Sequence, residues 1–136
     1  MKKKILIFGI TGQDGSNLAK LYIKKKCIVH GISRKKRRSF KNLIKLNIFN
    51  KVKIFKIDKD FSVLKKILKF NYDYIYFLGG QSSVIKSYID FEYETYDSVI
   101  NPLRIILEFI RKQKKKSKFM FSASSEIFGS NYKKKI

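Results

Sequence analysis

Two stretches of this chain hold residue types that can do chemistry. Ser122-Ala123-Ser124-Ser125-Glu126 sets hydroxyls beside a carboxylate. A hydroxyl can hydrogen-bond a substrate hydroxyl, and a carboxylate in a partly dry cleft can take a proton as a general base. The same run also reads as a helix N-cap, serine followed by an acid, and on spacing alone neither reading wins. Near the other end, Gly9, Gly12 and Gly15 recur every three residues, with Thr11, Gln13 and Asp14 between them. Glycines let the turn be tight, and they let backbone amides approach a phosphate that a Cβ would hold away. A lone glycine triplet can be a plain turn. This one follows the apolar run Ile5-Leu6-Ile7-Phe8 and precedes apolar residues at helical spacing from Ser16 onward. Strand, glycine turn and helix in that order present a helix N-terminus to a pyrophosphate.

Other candidates fall just after apolar runs. Arg34 follows Ile28-Val29-His30-Gly31-Ile32. An acid there would hold a ribose 2′-hydroxyl and select NAD, whereas a guanidinium suits a 2′-phosphate, so the expected cofactor is NADP. Asp58 follows the run ending at Ile57. It either meets an adenine amino group or caps a turn. Leu78-Gly79-Gly80-Gln81-Ser82 leaves a further run through two glycines, which lets backbone lie against a flat or charged ligand; a simple turn is the alternative. His30, the only histidine, sits within a strand with no partner in view and reads as structural. Cys27, the only cysteine, cannot form an internal disulfide and reads as a buried thiol. With one of each, no protein-built metal site is expected.

The elements that must position these residues alternate. Strands are expected at 5–8, 27–32, 52–57, 74–78 and 119–121. Helices are expected at 16–25, 40–46, 61–70 and 92–112. The last helix shows a stripe of Val99, Leu103, Ile106, Leu107 and Ile110, and Pro102 inside it predicts a kink. Strands alternating with helices predict an α/β fold, a doubly wound parallel sheet covered on both faces. Its ligands bind outside the carboxyl ends of the strands, where the candidates fall.

With 136 residues the chain suits one domain, residues 1–136. No apolar run is long enough for a membrane span, and the start, Met1-Lys2-Lys3-Lys4, lacks the apolar stretch of a signal peptide; a cytoplasmic protein is expected. The formal net charge is +22. Such a field draws anions, and nucleic-acid binding is the obvious inference. However, the basic residues are 27 Lys against 5 Arg and occur in every segment, while Ile outnumbers Val by 20 to 5 and Ala occurs twice. That pattern reads as coding bias on solvated faces, and no specific nucleic-acid partner is expected.

The motifs taken together resemble the extended short-chain dehydrogenase/reductases, and among them the GDP-mannose 4,6-dehydratase family. The carriers are Gly9-Ile10-Thr11-Gly12-Gln13-Asp14-Gly15-Ser16, then Val29-His30-Gly31-Ile32 with Arg34, Ser39-Phe40, Tyr76-Phe77-Leu78-Gly79-Gly80-Gln81-Ser82-Ser83-Val84, and Ser122-Ala123-Ser124-Ser125-Glu126-Ile127-Phe128-Gly129. Gln13-Asp14 is more specific than the glycines. The resemblance implies a Rossmann fold and an NADP-dependent dehydration of GDP-mannose to GDP-4-keto-6-deoxymannose, by oxidation at C4, loss of water across C5–C6 and return of hydride to C6. It implies that Ser124 holds the 4-hydroxyl, that Glu126 takes the C5 proton, and that Tyr93 edges the cofactor site. It also implies a homo-oligomer at full length.

Three features depart from the family pattern. The family's Tyr-x-x-x-Lys pair is absent near its expected place, since the chain ends at Ile136 before it. Asn101-Pro102 stands where the family prefers small residues. Lys56-Ile57-Asp58 replaces a Gly-Asp-Leu, which leaves Asp58 uncertain by one position. An N-terminal part without the C-terminal substrate domain is therefore expected, with little turnover of its own. Another nucleotide-sugar epimerase or reductase, or a non-catalytic dinucleotide-binding module, are the alternatives.

Overall fold

Successive side chains of a strand point to opposite faces, so a continuous apolar run such as Ile5-Leu6-Ile7-Phe8 supplies both faces of one sheet. The computed structural model describes residues 2–33, 40–79 and 96–123. Its elements are β1 (Lys4–Phe8), α1 (Gln13–Lys24), β2 (Ile28–Ile32), α2 (Lys41–Lys45), a 3-10 turn (Phe49–Lys51), β3 (Lys53–Phe55), α3 (Ser62–Leu68), β4 (Tyr74–Phe77), a π turn (Tyr96–Ile100), α4 (Asn101–Lys112) and β5 (Lys118–Phe121). The five strands are all parallel, in the order β3-β2-β1-β4-β5. Leu6, Phe8, Ile32, Ile75 and Phe77 face one way and pack with α3 and Ile106 of α4. Ile5, Ile7 and Val29 face the other way and pack with Ala19 of α1 and Leu43 of α2. Helices on both faces are what a parallel sheet needs, since neither face can be left to water. This is the doubly wound α/β arrangement expected from the alternation of runs.

Several boundaries differ from expectation. Helix α1 starts at Gln13 rather than Ser16, because Gly15 lets the first helical turn lie directly on the turn before it. β2 begins at Ile28, so Cys27 lies outside the strand; it is half-buried at the edge of the second core rather than fully buried. β3 is only three residues long, and Val52, Lys56 and Ile57 lie outside it.

The expected stripe on the last helix is also shifted. Ile106 is fully buried and Val99 and Ile110 pack beside it, but Leu107 is 46 % exposed, and Ile105 and Phe109 take the core positions instead. The expected mid-helix kink at Pro102 becomes a change of winding. Pro102 is the second residue of α4, where a missing N–H costs least, and the turn before it widens to π. Residues 92–95 lie outside the described residues.

The shifted stripe gives a direct test. Ile106→Ala is expected to cost about 3 kcal/mol, the usual range for a fully buried truncation. Leu107→Ala is expected to stay within about 0.5 kcal/mol. Urea unfolding of the two variants checks this, and similar losses at both positions would contradict the shift.

Candidate functional site

The strand order reverses between β1 and β4, and a crevice opens at their carboxyl ends. The chain leaves β1 through Gly9, whose φ of +76° is one that side chains rarely adopt. A Cβ on Gly9 would stand 2.9 Å from the amide nitrogen of Gly79, which leaves β4 beside it. The two loops therefore touch backbone to backbone. A Cβ on Gly15 would stand 2.3 Å from the Gly9 carbonyl oxygen, so α1 begins on top of the same turn. The Gly12 amide donates to the Gly9 carbonyl at 2.9 Å, and the Ser16 amide donates to the Gly12 carbonyl at 3.0 Å.

Gly12 caps α1 with no side chain to offer. Among the described residues nothing accepts from the amides of Gln13, Asp14 or Gly15. Three free N–H groups at a helix N-terminus, with the positive end of its dipole behind them, form a site for an anion such as a phosphate. Gln13 and Asp14 are exposed at its mouth, while Gly15 and Ser16 are buried beneath. The Ser16 hydroxyl and the Asn17 amide both donate to the Gln13 carbonyl, at 2.9 and 3.0 Å, and hold the first turn.

Thr11 fixes the turn from the side. Its buried hydroxyl lies 3.3 Å from the Ser33 hydroxyl at the end of β2. Its carbonyl accepts from the Asn42 side-chain amide of α2 at 3.0 Å. Ile10 packs over Gly31, where a Cβ would stand 2.4 Å from the Ile10 side chain. Ser33, Asn42 and Gly31 were not among the site residues expected from the sequence. Only Gly31 carried a signal, since a glycine inside a strand marks a close approach.

Of the predicted residues, the fold brings Gly9, Thr11, Gly12, Gln13, Asp14, Gly15, Leu78 and Gly79 to this one place. The Leu78 amide donates to the Phe8 carbonyl at 3.1 Å and carries the sheet pairing up to the crevice. Asp58 acts as a cap. Its carboxylate accepts from the Ser62 hydroxyl and from the Val63 amide at 3.1 Å, at the start of α3. The bond from Ser62, with the Val63 amide adding to it, lowers its pKa to about 2. Arg34, Gly80, Gln81, Ser82, Tyr93, Ser124 and Glu126 lie outside the described residues.

His30 has the partner that the sequence did not reveal. Its Nδ1 lies 2.7 Å from the Tyr72 hydroxyl, and Phe55, Phe70 and Tyr72 meet its ring edge-on. Burial, with Lys53 and Lys4 adding to it, lowers its pKa. It is part of an aromatic cluster away from the glycine turn. Among the described residues no three His, Cys, Asp or Glu side chains lie together as metal ligands, and no helix is long and apolar enough to cross a membrane.

Residues 6–136 match the family model described as GDP-mannose 4,6 dehydratase. A GDP-mannose 4,6-dehydratase of Vibrio cholerae serotype O1 is 39 % identical over 94 % of this chain and 37 % of its own length. One of Dictyostelium discoideum is 37 % identical over 94 % of this chain and 39 % of its own. The chain thus spans about two fifths of the length of these relatives. Among solved structures, the UDP-Glc/GlcNAc 4-epimerase of Campylobacter jejuni superposes with a TM-score of 0.77 at 22 % identity, over 93 % of this chain and 39 % of the other. The UDP-glucuronic acid 4-epimerase of Bacillus cereus, solved with UDP-glucuronic acid and NAD, gives 0.76 at 23 %, over 93 % and 41 %. At such identities these two share the fold.

Two substitutions test the site. Gly15→Ala places a methyl group against the Gly9 carbonyl and is expected to lower stability by about 2 kcal/mol or more while removing dinucleotide binding; thermal melting and a ligand titration read both effects. Asp58→Asn tests the cap. The folded pKa lies below the unfolded one, so the stabilisation is present above about pH 4 and is lost as the pH falls toward 2. The melting temperature of Asp58→Asn should therefore lie below that of the parent at pH 6, with the gap closing between pH 4 and 2; a constant gap would contradict the cap.

Proposed function

The chain belongs to the GDP-mannose 4,6-dehydratase family, and on that premise we propose that it is the dinucleotide-binding part of an NADP-dependent dehydratase acting on GDP-mannose. The observation that carries this reading is the turn at Gly9–Gly15. It leaves the amides of Gln13, Asp14 and Gly15 without partners among the described residues at the sheet's switch point, in a chain that matches the family from residue 6 to residue 136. A Cβ at Gly9 or Gly15 would strike neighbouring main chain, so glycine at both positions lets the turn close and present these amides together, an arrangement that suits a pyrophosphate.

A nicotinamide dinucleotide held there would supply the reversible hydride transfer that the dehydration of the sugar needs. The chain's own residues do the rest. The first turn of α1 neutralises the pyrophosphate. Arg34 pairs with a 2′-phosphate. Gly79 stands at the crevice, and Gly80, Gln81, Ser82 and Tyr93 are assigned to cofactor contact by the family motif. Asp58 stands after β3, where the adenine amino group is expected, while its carboxylate also caps α3. Ser124 hydrogen-bonds the 4-hydroxyl. Glu126 removes the C5 proton, made acidic by the adjacent ketone, as water leaves C6. These 136 residues carry no Tyr-x-x-x-Lys pair at the family's place for it, so alone they are expected to bind dinucleotide and to turn over little. The full enzyme is read as a cytoplasmic homo-oligomer. Glu126 favours a dehydratase over a 4-epimerase, which needs no base at that place.

Calorimetric titration of the 136-residue chain with NADPH and NADH tests the reading. NADPH should bind at least tenfold more tightly, and Arg34→Glu should remove that preference. Failure to bind either dinucleotide would overturn the proposal, and equal affinities would overturn the assignment of Arg34.

A further inference from the structure

The sequence spreads lysine over every segment, but the fold gathers part of it. The amino ends of the strands and the carboxyl ends of α1 and α4 meet at the edge of the sheet opposite the glycine turn. Two depressions open there, of about 700 and 530 Å³. Lys3 and Tyr74 line both, so the two adjoin at these side chains. Some of the lysines at this edge have local duties. The Lys4 side chain donates to the Phe70 carbonyl, Lys115 pairs with Asp73, and Lys116 donates to the carbonyls that end α4.

Six others, Lys2, Lys3, Lys25, Lys26, Lys114 and Lys118, line the depressions, and among the described residues none of them pairs with a carboxylate. Among the described residues Asp73 is the only carboxylate on the lining, and it is already taken by Lys115 and by the backbone amide of Lys4. Half-buried Tyr74 lies where the depressions join, with the Lys3 and Lys118 ammonium groups 5.5 and 5.9 Å from its ring centre.

Helix dipoles account for lysines in a last turn, but Lys2, Lys3 and Lys118 belong to strands or precede them, and dipoles do not account for those. A basic groove with an aromatic ring at its centre is the chemistry that holds a phosphodiester backbone with a base against the ring. We infer that this edge binds single-stranded nucleic acid, at a surface separate from the dinucleotide crevice. The two sites stand at opposite ends of β1, about 15 Å apart along the strand.

The test is fluorescence anisotropy with a labelled 15-mer of thymidylate. Lys3→Gln/Lys114→Gln/Lys118→Gln is compared with Lys45→Gln/Lys56→Gln/Lys59→Gln, which removes the same charge from residues outside the depressions. The first triple variant should weaken binding at least tenfold and flatten the slope of log affinity against log salt by about 2, at roughly 0.7 per lost single-strand contact. The second should weaken it less than threefold. Saturating NADPH should leave the affinity within twofold. Tyr74→Leu, matched in melting temperature, should weaken the oligonucleotide but leave inorganic polyphosphate unchanged.

Equal loss in the two triple variants would overturn the inference, because the charge would then act without a site. So would displacement by NADPH, equal loss of polyphosphate in Tyr74→Leu, or binding to anionic phospholipid vesicles without binding to the 15-mer.

Discussion

The close approach of three glycine backbones at the end of β1 is the constraint on which the rest of the structure depends. Gly9 touches Gly79 on one side and Gly15 on another, and in each pair a single Cβ would fall within 3 Å of main-chain atoms. Main chain cannot swing aside as a side-chain tip can, so relief would have to come from parting β1 from β4 or from moving α1 off the sheet. Both would disturb the two cores, since Ile5, Leu6, Ile7 and Phe8 of β1 are all buried between the layers. The same contacts place the free amides of α1 at the switch point. Packing and the proposed binding therefore rest on one feature.

Around that contact the supports are polar and short-range. Thr11 reaches Ser33 with its hydroxyl and Asn42 with its carbonyl. Those partners stand on either side of residues 34–39, the stretch that holds Arg34. The turn proposed to meet the pyrophosphate thus also holds both flanks of the stretch proposed to read the 2′-phosphate. A buried hydroxyl pair and a side-chain amide on a carbonyl give direction where apolar packing gives none.

Much of this was legible in the chain. Five apolar runs separated by helical periodicity define a parallel sheet, because only that arrangement covers both faces of continuous apolar strands. Glycine spacing identified the turn, and the motif identified the family. Other features were hidden for physical reasons. Leu103 and Leu107 looked like core because a helix period accepts neighbouring stripes, and the winding change before Pro102 then decided which stripe turns inward. His30 had no visible partner because Tyr72 lies 42 residues away. Asp58 was open between ligand and cap, and the cap bonds became visible only once Ser62 and Val63 opened a helix.

By itself the sequence determined the order of strands and helices, the glycine turn and the family, because each of these depends on residues close together along the chain. The tertiary structure decided what depends on distant segments meeting. It set Gly79 against Gly9, gave Thr11 its partners from β2 and α2, and gave His30 its partner. It also collected at one edge lysines whose spread along the chain had looked uniform. That last result follows from geometry, since every strand of a parallel sheet begins at the same edge, and the helices that return the chain to those strands end there.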